Sequence, residues 1–202
     1  MTGIQYFEYG ETEIEYLRGR DKKLGAAIDA IGKIERAVNP DIFAALIESI
    51  VGQQISAKAA ATVCARLKTL SGLDAACLHV LTIEQVQACG MSMRKAAYIK
   101  NAASAVMDGE IDLTRLADKS DAEIIKTLTA LDGIGVWTAE MLLIFSLMRP
   151  NVISYGDLAI RRSMMQLYGH KTLDRARFDK YAKRYAPYAS VASLYLWAMA
   201  IK

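Results

Sequence analysis

The run from Leu128 to Asp157 admits few folds. Asp121 to Ala130 carries Ile124, Ile125 and Leu128 at helical spacing. Asp132-Gly133-Ile134-Gly135 cannot continue that helix, because two glycines in three positions invite positive φ and a close approach of the backbone to another molecule. From Val136 onward, Trp137, Met141, Ile144, Phe145 and Met148 recur at three- and four-residue steps. The pattern is helix, tight turn, helix, with unpaired amides at the start of the second helix. The positive end of the helix dipole lies there too, so the turn is suited to holding an anion.

The rest of the chain repeats the helical signal. Period-two alternation is nearly absent, and the three prolines (Pro40, Pro150 and Pro187) fall where helices would start or stop. The spacing predicts helices over 11–18, 22–31, 82–88, 93–107, 158–168, 174–185 and 189–201. Another opens at Pro40-Asp41 with an apolar stripe through Ile50. A further one, capped by Ser56, runs to about Leu70. Residues 32–39 read as a linker and 112–116 as a loop or single turn. An all-α protein is expected.

Leu-Asp-Gly-Ile-Gly-Val-Trp-Thr-Ala at 131–139, followed by Asp157 opening another helix, resembles the helix-hairpin-helix and Gly/Pro-Asp signature of DNA base-excision glycosylases. Trp137 after the hairpin is similar to the alkylated-base branch, the type II 3-methyladenine DNA glycosylases. The resemblance runs from about Asp41 to the C-terminus. It implies a single domain over 1–202 built as two helical lobes with a cleft between them. The middle lobe spans about 41–149 and contains the hairpin at 121–148, and the second lobe combines 1–40 with 150–202. No counterpart of the N-terminal β domain of larger members is expected in the segment before Pro40, which reads as too short and too helical for it.

The resemblance also assigns chemistry. Asp157 matches the catalytic aspartate, although Gly-Asp before Leu-Ala-Ile-Arg-Arg is equally a good helix cap. A carboxylate beside the anomeric carbon stabilises an oxocarbenium-like state and can orient or deprotonate water. An N-alkylated purine already carries positive charge and leaves neutral, so the second carboxyl of an O-glycosidase is dispensable. Trp137 stands where bifunctional relatives carry a Schiff-base lysine, which implies base removal without strand cleavage. Trp137 and Trp197 match aromatic positions lining the base pocket, with Tyr155, Leu158 and Met141 as further lining. As residues of apolar helices, the two tryptophans also read as ordinary core. Gly52-Gln53-Gln54-Ile55 resembles the minor-groove loop, whose wedge is usually apolar. Here the matching residue is the polar Gln54, with Gln53 beside it. Amides near Gly133 and Gly135, with the Thr138 hydroxyl, are the candidate phosphate contacts. Main-chain carbonyls of Thr129, Leu131 and Ile134 match a monovalent-cation site (Na+ or K+) of family hairpins. The charges Arg94, Lys95 and Lys100 read as a solvated helix face, with phosphate contact by Arg94 or Lys95 as the alternative.

Composition sets limits. A net charge of +3 permits nucleic-acid binding without demanding it. No apolar run approaches the ~18–20 residues of a membrane span, and the N-terminus lacks the layout of a secretion signal. Cys64, Cys77 and Cys89 have no metal-ligand spacing and exclude a four-cysteine iron–sulfur cluster. The expectation is a monomer needing no cofactor, acting on duplex DNA with alkylated bases, in the nucleoid of a prokaryote or the nucleus of a eukaryote. Two alternatives stay open: a non-catalytic helix-hairpin-helix DNA-binding module, and a glycosylase for a deaminated or oxidised base.

Overall fold

The computed structural model of the chain describes residues 3–200. Among the described residues twelve α-helices follow one another: α1 (Glu11–Arg20), α2 (Lys22–Ile31), α3 (Ile42–Gly52), α4 (Ala57–Ser71), α5 (Ala75–Val80), α6 (Ile83–Gln87), α7 (Met93–Met107), α8 (Asp121–Leu128), α9 (Val136–Phe145), α10 (Leu158–Tyr168), α11 (Arg175–Tyr185) and α12 (Ala189–Ala200). Ile201, the expected last residue of the terminal helix, lies outside the described residues. Short polar residues set most of the starts. Asp41, Ser56, Ser92, Ser120, Asp157 and Asp174 each accept a main-chain N–H of the first turn.

Three details depart from the sequence expectation. The stretch read as a linker holds a two-residue strand, Ala37–Val38, paired antiparallel with Gln5–Tyr6. Helix α5 is additional; its six residues are too few to show a period, though Asp74 caps it. The single turn expected at 112–116 is present, as a 3₁₀ turn over Leu113–Asp118. Helix α9 stops at Phe145 rather than continuing to Met148, whose φ of 51° lies in the left-handed region. Among the described residues no helix is long and apolar enough to cross a membrane.

The chain divides into two compact units. One runs through Val38 and resumes at Leu143; the other is Asn39–Leu142, so the division falls inside α9. In the first, α1 packs on α2, and α12 packs on α10, α11 and α2. Its buried side chains include Leu17, Leu24, Ile160, Met164, Phe178 and Leu196. In the second, α7 packs against α3, α5 and α6, and α3 also against α4. Leu46, Ile47, Ile50, Leu67, Leu78 and Ile99 are fully buried there. Burial of this kind contributes roughly 1.5–3 kcal/mol per large aliphatic side chain and holds the polar sites below in place.

Candidate active site

Asp157 sits at the N-cap of α10 and is 7% exposed. Its Oδ1 accepts the Ile160 amide at 2.9 Å. Its Oδ2 accepts the indole N–H of Trp197 at 3.1 Å. The cap reading of the sequence holds, and a tryptophan 40 residues away in addition fixes the second oxygen. A carboxylate with each oxygen engaged by a different element cannot rotate freely. The Trp197 ring rests against Phe145, centroids 5.4 Å apart and tilted by 35°. The Arg36 guanidinium lies 5.0 Å from the other partner's ring centre, that of Phe145.

The segment leading to Asp157 is clamped by buried serines on α12. Ser190 donates its hydroxyl to the Arg149 carbonyl at 2.5 Å and accepts the Val152 amide at 2.9 Å. Its own amide donates to the Pro150 carbonyl at 3.0 Å. Ser193 donates to the Val152 carbonyl at 3.2 Å. Ser190, Ser193 and Trp197 stand at i, i+3 and i+7, which is one helical face. That face holds first the main chain at 149–152 and then the carboxylate at 157. The serines carried no motif, but their spacing with Trp197 was a readable signal.

The other expected lining residues divide between the two units. Leu158 is 49% exposed at the first position of α10, next to Asp157. Tyr155 is half-buried, with Phe178 edge-on at 5.2 Å and the guanidinium groups of Arg161 and Arg175 at 5.1 and 5.2 Å from its ring centre. Its ring is thus already engaged by three neighbours. Trp137 and Met141 belong to the unit of the hairpin. Trp137 is 48% exposed in the first turn of α9, beside Val136 at 55%. Two large apolar side chains left open at a helix start are unusual for a core role.

The hairpin itself is tightly determined. Gly133 has φ 80°, and a Cβ there would lie 2.4 Å from Cδ2 of Tyr98, so the Tyr98 ring lies directly on the glycine. At Gly135 a Cβ would meet nothing within 4 Å, which leaves the backbone open on that side. Leu131 and Ile134 amides are used inside the turn, donating to Leu128 and Leu131 carbonyls at 3.1 and 3.2 Å. The amides of Gly133 and Gly135 have no main-chain acceptor among the described residues. Thr138 is 6% exposed, so its hydroxyl presents little surface and the glycine amides are the better anion donors. Asn101 donates to Asp132 at 3.2 Å from α7.

A cation at the hairpin would meet carbonyl oxygens at the C-terminal end of α8, the negative end of its dipole. Thr129 is the C-cap of that helix. The Leu131 carbonyl accepts the Ile134 amide but keeps a second lone pair. Neutral oxygens without a carboxylate or thiolate suit a hard monovalent ion, so Thr129, Leu131 and Ile134 fit that group. Among the described residues no cluster of three His, Cys, Asp or Glu side chains offers a different metal site.

The basic face expected on α7 is not a solvated one. Arg94 is exposed, but Lys95 turns inward, donating to the Val51 carbonyl at 2.8 Å and the Gln53 carbonyl at 2.5 Å. Lys100 donates to the carbonyls of Leu78 and His79. Both lysines cap helix ends, where carbonyls lack intrahelical donors. Burial pulls the Lys95 ammonium below its ordinary pKa. Gln53 is half-buried and donates its side-chain amide to the Gly133 carbonyl at 2.8 Å, while Gln54 is exposed with φ 56°.

Residues 47–187 match the family described as HhH-GPD superfamily base excision DNA repair protein. The chain is 35% identical over 158 residues to DNA-3-methyladenine glycosylase 1 of Schizosaccharomyces pombe, covering 75% of this chain and 69% of that one. It is similar to the crystal structure of the DNA-3-methyladenine glycosidase of Bacillus halodurans, with TM-score 0.87 and 36% identity over 98% of this chain and 93% of the other. It is also similar to the S. pombe 3-methyladenine DNA glycosylase in complex with abasic DNA, with TM-score 0.79 and 30% identity over 92% and 95% of the two chains.

Proposed function

The chain belongs to the HhH-GPD superfamily of base excision DNA repair proteins, and on that premise we propose that it is a monofunctional glycosylase releasing N3- and N7-methylated purines from duplex DNA. The observation that carries the proposal is the Asp157 carboxylate, buried and held by Trp197 and Ile160. Breaking an N-glycosidic bond leaves positive charge on the sugar. A pre-oriented carboxylate stabilises that charge without reorganising as it develops. The same group orients the attacking water or takes its proton, and the departing methylated purine needs no acid because it leaves neutral.

The target base must leave the stack to meet such a group. Trp137, 48% exposed, supplies the aromatic face for a cationic base, worth about 0.5–2 kcal/mol. Met141 beside Trp137, and separately Trp197, Tyr155 and Leu158 beside Asp157, are the further residues proposed to meet the base, and Gln54 fills the vacated position. Amides of Gly133 and Gly135 hold phosphate, a grip that reads no sequence and weakens with salt. Thr129, Leu131 and Ile134 would hold a Na+ or K+, which adds positive charge beside the bound strand. With Trp137 in place of a Schiff-base lysine, no covalent DNA intermediate forms. The protein acts as a monomer where the genome lies, in nucleoid or nucleus.

Duplex DNA methylated on purines tests this. Release of 3-methyladenine or 7-methylguanine with intact abasic product, and no borohydride-trapped adduct, is the expected result. Binding without release would favour a non-catalytic module. Release confined to deaminated or oxidised bases would move the substrate class.

A further inference from the structure

On α7, Lys95, Tyr98 and Asn101 recur at i, i+3 and i+6 and face two turns of the same unit. Lys95 grips the carbonyls of Val51 and Gln53. Tyr98 lies on Gly133, and Asn101 holds Asp132. The Gln53 side chain closes the circuit by reaching the Gly133 carbonyl. Between these ties stands Gln54, exposed and in the left-handed region that side-chain-bearing residues adopt only under constraint. The carbonyl of Gln53 belongs to the peptide bond that leads into Gln54, so the Lys95 ammonium fixes that peptide plane directly.

We propose that Lys95 is a positioning residue for base extrusion: it locks the backbone around Gln54 so that this side chain projects as a preformed plug, registered to the hairpin through Gln53. The lysine touches neither base nor phosphate. This inference rests on the glycosylase reading above. It deepens that reading by separating two tasks: the hairpin amides bind any duplex, whereas the Lys95–Gln53 clamp serves only the step in which a nucleotide leaves the stack. A loop that must be ordered during that step costs rate there and not in initial binding.

The test uses Lys95→Met, which keeps the apolar stem, and Gln53→Ala, which alters only a half-buried polar contact and guards against misfolding of the first. The probe is a duplex with one 7-methylguanine beside 2-aminopurine, whose fluorescence reports unstacking. Extrusion should slow about tenfold or more in Lys95→Met and severalfold in Gln53→Ala. Affinity of Lys95→Met for undamaged duplex should stay within about twofold. Unchanged extrusion in both variants, or a parallel loss of extrusion and undamaged-duplex affinity, would overturn the clamp while leaving the glycosylase reading intact. A parent protein that releases no methylated purine would overturn that reading and the clamp with it.

Discussion

The indole N–H of Trp197 donates to Oδ2 of Asp157 at 3.1 Å, while the other carboxylate oxygen caps α10. This single contact joins a residue chosen for aromatic stacking to the residue chosen for charge. Trp197→Phe keeps a ring against Phe145 and removes the donor together with part of the indole's volume. The expected loss is about 10–100-fold in kcat, from one hydrogen bond to a charged group of about 1.5–3 kcal/mol. Steady-state release from methylated duplex measures it. A Phe variant as active as the parent would reduce the indole to packing.

Gly133 is held by geometry on two counts. Its φ is 80°, and a Cβ would collide with the Tyr98 ring at 2.4 and 2.7 Å. Gly133→Ala should cost about 2–4 kcal/mol, combining left-handed strain with overpacking, and should weaken duplex binding. Adding Tyr98→Ala should return part of the loss, since it removes the collision but not the strain. Denaturant unfolding of the four proteins reads this coupling. Simple additivity would show that the ring and the glycine do not meet in this way.

Alkaline pH should destabilise the fold through a buried cluster. Asp21 accepts Tyr168 at 2.7 Å and Arg184 at 3.1 Å; Tyr168 meets Tyr185 at 2.5 Å and stacks on Tyr181 at 3.8 Å between centroids. Burial first, and the neighbouring Tyr185 and Asp21 next, push the Tyr168 hydroxyl far above the ordinary tyrosine range. Burial does the same to Tyr185. The folded protein keeps both neutral where an unfolded chain, with tyrosines near 10, ionises them. Their contribution is therefore complete below about pH 10 and is lost as pH climbs beyond it. Melting temperatures from pH 8 to 11 should fall at the upper end, and less steeply in Tyr168→Phe. An equal decline in both proteins would place the alkaline sensitivity elsewhere.

Local signals in the sequence went far. Short polar residues marked where α3, α4 and α10 begin, because their side chains bond first-turn amides whatever lies beyond. The hairpin was legible because glycine at 133 answers a backbone demand. What stayed hidden depends on distant partners. Lys95 looked solvated because charge on a helix usually is; the carbonyls that claim it end α3, more than forty positions upstream. The early end of α9 follows from the left-handed backbone at Met148, which no apolar period encodes. The Trp197 contact with Asp157 spans 40 residues and joins two side chains that periodicity treats separately.

The central claim concerns one carboxylate. Asn in place of Asp157 retains an oxygen that can cap α10 but turns its NH2 toward the Trp197 indole N–H, so the melting temperature should fall by a few degrees while the fold and the affinity for methylated duplex are kept. Single-turnover release of 7-methylguanine by Asp157→Asn is the most direct measurement. A fall on the order of 10³-fold is predicted for loss of a charge aimed at the developing cation. Release within severalfold of the parent, from a folded and DNA-bound variant, would contradict the account.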